Sequence, residues 1–246
     1  MIRRPTSAHR VQTRRGLLSL TVVLLGGDAA LARLRQRLRK RGLRLMLDFV
    51  PNHTGLDYQN KLARFLENHD QPRAAVAFPK GRDQAAAVIT FLSPGLRFFH
   101  QGQFEGRLKR ISPHLGRAPD EELNRPLKQF YERLIDVLRR PAVRQGQWQL
   151  LECVPAWNGN ASSDAFIAFT WQHSGGARLL VVVNYASHPS QCCLRLPFPD
   201  LGGRLWLLHD LLGNTAYERE GDDLLSRGLY LDVPPWHCHV FEMTAD

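Results

Sequence analysis

Two short clusters carry the residues best suited to chemistry. Asp48-Phe49-Val50-Pro51-Asn52-His53 and Phe65-Leu66-Glu67-Asn68-His69-Asp70 each join an apolar run to a carboxylate, an amide and an imidazole. A carboxylate can accept hydrogen bonds or balance a positive charge, and an imidazole can donate or accept. Taken singly, each cluster also has a plain structural reading, with Asp48 capping a loop and His53 lying on the surface.

The surrounding pattern sets both clusters at the ends of strands. A helix is expected over residues 28–41, where Leu31, Leu34 and Leu38 recur at helical spacing between arginines, Asp28 caps the start and Gly42 ends it. The apolar run 43–50 then reads as a buried parallel strand stopped by Pro51. A second strand is expected over 62–66, a helix over 83–92, a third strand over 96–100 and an amphipathic helix over 121–139. Strands alternating with helices imply a parallel sheet with ligand chemistry at the strand C-termini. Beyond Pro141 the pattern changes to strands, expected over 147–154, 165–172, 178–185, 191–197, 204–208, 228–233 and 237–244, separated by turn residues. These form an antiparallel domain of sandwich size. The expected division is a basic leader or strand remnant over 1–25, an α/β domain over 26–141 and a β domain over 142–246.

Together the two clusters resemble the segments that end the third and seventh barrel strands of the α-amylase family of glycoside hydrolases, family 13. Gly95-Leu96-Arg97-Phe98-Phe99-His100-Gln101-Gly102-Gln103 resembles that family's eighth-strand segment, and the β domain its C-terminal sandwich. The resemblance implies an α/β fold, an incomplete (β/α)8 TIM-type barrel followed by an all-β sandwich. It also implies a carbohydrate-metabolism role on the α-glucosidic bonds of α-glucans. Asp70 matches the transition-state-stabilising aspartate. His53 and His69 match histidines that bond the sugar at the scissile position. Asp48 matches a buried aspartate that orients an arginine beside the nucleophile, and Asn52 a loop residue that binds calcium in some members. Arg73, just beyond Asp70, either lines the same pocket or serves the structure. No other metal or cofactor is implied.

The rest of the expected machinery has no counterpart. Retaining glycosidases use two carboxyl groups about 5–5.5 Å apart, as nucleophile and acid/base. The family's nucleophile sits in an Arg-x-Asp sequence, which occurs nowhere in this chain. His53 and His69 are sixteen positions apart, whereas passing from strand three to strand seven takes four βα units, roughly 120 residues. Residues 54–60 therefore read as a join across an internal deletion, and the first strand lacks a counterpart on the N-terminal side. Asp57, Glu67 and Glu105 are the nearby carboxylates available as substitutes. The expectation is an inactive or truncated relative, a pseudoenzyme; the alternative is a non-catalytic module that binds carbohydrate or a partner. Open barrel edges predict self-association. Trp148, Trp157, Trp171, Trp206 and Trp236 either offer sugar platforms or pack in the core.

Composition sets the remaining bounds. The net charge of +10 is mostly arginine, and seven basic residues without an acid lie between Arg33 and Arg44. They read as a solvated helix face or a phosphate-binding stripe. No aromatic interleaves them, so the stacking half of a nucleic-acid surface is absent there, and no nucleic-acid partner is expected. Cys153, Cys192, Cys193 and Cys238 lack zinc or disulfide spacing and read as buried or half-buried thiols of a reducing compartment. No apolar run reaches bilayer length, so no membrane partner is expected. A cytoplasmic location is expected, with the twin-arginine-like stretch at Arg14-Arg15 as the alternative signal for export.

Overall fold

A computed structural model describes residues 61–246, apart from residues 80, 113 and 115. The expected leader, the helix over 28–41, the strand over 43–50, and Asp48, Asn52, His53 and Asp57 lie outside the described residues.

The chain enters through a short β-α-β crossover. Strand β1 (Ala63–Arg64) pairs in parallel with β2 (Leu96–Arg97), Ala63 opposite Leu96. Backbone bonds from Leu96 to Leu62 and from Phe98 to Arg64 extend the contact to both sides. Between them run α1 (Ala74–Ala77) and α2 (Arg82–Leu92). Helix α2 begins at Gly81, whose φ of 82° is left-handed, a conformation that costs a side-chain-bearing residue energy. It buries Ala85, Val88, Phe91 and Leu92.

Helix α3 (Arg125–Arg139) starts four residues later than its sequence pattern suggests. Asn124 caps it by accepting from the Leu127 N–H, and Pro126 fits the first turn, which needs no donor. Glu121 lies outside the helix because its carboxylate accepts from the backbone N–H groups of Leu108 and Lys109. Leu127, Phe130, Tyr131, Leu134 and Val137 repeat at three and four and form the buried stripe. Arg140 is extended, as a residue before proline prefers, and Pro141 opens a second short helix, α4 (Pro141–Gln145).

The remaining nine described strands make two antiparallel sheets. β3 (Gln147–Leu150), β5 (Phe166–Gln172), β6 (Arg178–Asn184), β11 (Cys238–Ala245), β8 (Leu205–Asp210) and β9 (Ala216–Glu220) lie side by side in that order. β4 (Cys153–Val154), β7 (Ser190–Leu194) and β10 (Leu229–Val233) form the smaller sheet. A short helix, α5 (Gly221–Ser226), follows β9.

The large sheet is the middle layer. Strand β6 reads Leu179-Leu180-Val181-Val182-Val183, an unbroken apolar run because both its faces are covered. Leu179, Val181 and Val183 join α2, α3 and α4 in one core. Leu180 and Val182 join Cys192, Leu194, Leu229 and Leu231 of the small sheet in another. The sequence predicts one strand over 147–154; the structure divides it between the two sheets, with Leu151 and Glu152 as the crossing. Among the described residues parallel pairing is confined to β1 and β2, and the sheets are otherwise antiparallel. No described helix is long and apolar enough to cross a membrane.

Candidate functional site

The segment after β1 turns two carboxylates in opposite directions. Glu67 points inward and is 1% exposed. Its Oε1 lies 2.9 Å from Arg73 Nη2 and 3.3 Å from His100 Nδ1, and its Oε2 accepts from the Ala74 N–H. Arg73 is 4% exposed. Besides Glu67 it donates to the carbonyls of Gln101 and Arg107, and its Nη1 lies 2.9 Å from His100 Nδ1. This buried cluster clamps residues 67–74 to the loop after β2. Gln103 seats that loop on α3 by donating to the Tyr131 hydroxyl, whose titration burial pushes far above the usual phenol range. The structure thus puts Arg73 in the clamp, with four donor contacts to protein groups, instead of on the wall of a pocket.

Asn68 reverses the direction. Its side-chain oxygen accepts from the backbone N–H groups of Asp70 and Gln71, both at 2.9 Å, closing a local turn. That turn projects His69 and Asp70 outward, their side chains 61% and 68% exposed, with His69 Nε2 3.3 Å from Asp70 Oδ2. Arg110 reaches back from the later loop and donates through Nε to the His69 carbonyl at 3.1 Å. His69, Asp70, Arg110, Ser112 and His114 line a cleft of about 410 Å³.

His69 and Asp70, paired in the sequence reading, are adjacent in the cleft; Asp48, Asn52 and His53 lie outside the described residues. Sequence reasoning did not single out Arg110, Ser112 or His114. Their signal is faint, a basic stretch followed by Ser-Pro-His, about forty positions beyond Asp70 in the chain. A larger cavity, about 680 Å³, lies elsewhere, between α2 and the segments before α3, lined in part by Asp83, Asp120, Glu121 and Glu122. It contains neither sequence cluster. No group of acidic, histidine or cysteine side chains among the described residues is arranged to hold a metal ion.

The tryptophans divide by burial. Trp171 and Trp206 are buried and donate to the carbonyls of Leu92 and Leu201. Trp148 packs on the helical core beside Phe169, and Trp236 lies under the Arg82 guanidinium, 4.6 Å from its ring centre. Trp157 is 55% exposed. Cys192 and Cys238 are buried, Cys153 and Cys193 half-buried, and all four thiols are free.

Helices cover one face of the six-stranded antiparallel sheet and the smaller sheet the other, and a polar turn follows the first strand of the β-α-β crossover. The chain is similar to the solved noncanonic maltogenic alpha-amylase AmyB from Thermotoga neapolitana, with a TM-score of 0.55 and 15% identity over 87% of this chain and 45% of that one. An alpha-amylase from Lactobacillus plantarum gives 0.51 and 16% over 73% of this chain and 37% of its own. The Group B Streptococcus pullulanase SAP gives 0.51 and 16% over 78% and 33%. The chain thus spans less than half the length of each of these structures. At these identities the likeness is one of fold, and at that level it agrees with the resemblance read from the motifs. No family model matches the sequence, and no curated protein matches it.

Proposed function

We propose that this chain is a member of the α-amylase family whose barrel is incomplete, residues 26–141 forming a partial (β/α)8 barrel and residues 142–246 the sandwich domain. It engages α-glucan or oligosaccharide at His69 and Asp70 and does not cleave the glycosidic bond. One observation carries this reading: Asp70 is the only carboxylate among the described residues lining the cleft. Hydrolysis with retention needs a second carboxyl group about 5–5.5 Å away. Glu67, the nearest in sequence, is enclosed by Arg73 and His100. The missing Arg-x-Asp and the sixteen-position step from His53 to His69 support the same conclusion.

On this reading Asp70, His69 and His53 bond sugar hydroxyls, and Asp48 and Asn52 support the site. The chain acts as a binding module needing no cofactor, in the cytoplasm, without nucleic-acid or membrane partners. Phe65, Val76 and Leu96, large apolar side chains exposed around the two short parallel strands, favour self-association. Calorimetry with maltooligosaccharides tests binding. Heat at millimolar ligand, reduced at least tenfold in affinity by Asp70→Ala, is expected. No heat at that concentration refutes the reading.

A further inference from the structure

We infer that the cleft seats a phosphate group, with Arg110 as its anchoring cation. This deepens the glycan reading, and rests on it only in supposing that a sugar carries the phosphate.

Among the described residues the lining side chains are all polar: two imidazoles, a carboxylate, a guanidinium and a hydroxyl. Pockets for uncharged ligands are mostly apolar and use a few polar groups for orientation. Among the described residues this cleft offers no Phe, Tyr or Trp ring on which a neutral sugar could stack. Its donors are better placed for an anion. Arg110 Nε is held by the His69 carbonyl at 3.1 Å, which fixes the plane of the guanidinium. Its two terminal nitrogens have no hydrogen-bond or ion-pair partner among the described residues, so a rigid fork of donors remains for a ligand. Asp70 does not claim that charge, because its carboxylate pairs with His69 Nε2. Ser112 Oγ accepts from the His114 N–H at 3.4 Å, which leaves its own hydrogen to donate. Arg110, Ser112 and the imidazole of His114 contribute donors from separate positions, an arrangement suited to the several oxygens of a phosphate.

Calorimetry on the full chain with inorganic phosphate, glucose 1-phosphate and maltose separates the possibilities. The expected result is glucose 1-phosphate binding at least tenfold tighter than maltose. Arg110→Ala should abolish that advantage, and Arg110→Lys should restore part of it. Inorganic phosphate binding as tightly as glucose 1-phosphate, with maltose silent, supports the phosphate seat and refutes the glycan reading. Glucose 1-phosphate binding no tighter than maltose, or an advantage unchanged in Arg110→Ala, overturns the phosphate seat and leaves the glycan reading standing. Silence toward all three ligands overturns both.

Discussion

Replacing Arg73 by methionine keeps much of the side chain's apolar stem and removes every charged contact made to Glu67 from that side. The carboxylate is 1% exposed, so no solvent replaces the lost guanidinium. Breaking a buried ion pair by removing one partner costs about 3–5 kcal/mol. Two groups remain to soften the loss, the Ala74 N–H on Oε2 and His100 Nδ1 at 3.3 Å from Oε1. The expected penalty therefore lies at the lower end, about 3 kcal/mol. With a urea slope of about 2 kcal/mol per molar, the midpoint should fall by about 1.5 M. Replacing both partners, Glu67→Gln with Arg73→Met, leaves no unpaired buried charge and should cost less than Arg73→Met alone. Urea denaturation followed by tryptophan fluorescence reads all the variants. A single-mutant penalty below about 1 kcal/mol, the range of an exposed pair, would refute the buried clamp.

Other perturbations test the packing and the electrostatics separately. Phe91→Ala empties a fully buried site between the helices and the large sheet and should cost about 3–5 kcal/mol in the same urea experiment. Asp210 is held below the usual carboxylate range; burial raises its pKa, but His239 at 2.8 Å and the Val240 and Leu212 N–H groups outweigh that. A carboxyl depressed in the folded state contributes stability that is present above its unfolded pKa, about 3.9, and is lost as pH falls through the folded value. Asp210→Asn should therefore lower stability near pH 7 by about 1–3 kcal/mol, and its difference from the parent should shrink below about pH 4. Thermal melts across pH 2.5–7 check both parts. Phe65→Lys with Leu96→Lys should shift sedimentation toward monomer if exposed apolar surface around β1 and β2 drives association.

The parts legible in the sequence were those fixed by near neighbours. The unbroken apolar run of β6, the three-and-four spacing of α3 and the Ser93-Pro94-Gly95 stop after α2 each announce their element, and all three form, α3 with its start moved to Arg125. Strand β9 was missed because Ala216–Glu220 is exposed throughout and therefore shows no alternation. The split of 147–154 was also hidden, since an apolar stretch does not say which sheet covers it. At the site, Asn68 turns His69 and Asp70 outward by a contact of two or three residues, a local effect. The burial of Glu67 depends instead on groups such as His100, which lies 33 positions further along and is brought back by the crossover. Spacing alone could not distinguish a buried carboxylate from an exposed one at that strand end.

The proposal that this chain lacks a nucleophile is tested most directly by trapping. The purified chain is incubated with a 5-fluoro-α-glucosyl fluoride, which forms long-lived esters on the attacking carboxylate of retaining α-glucosidases, and its intact mass is then measured. An unchanged mass is the predicted result. A gain of one fluoroglucosyl group, mapped to an aspartate or glutamate of this chain, would contradict it.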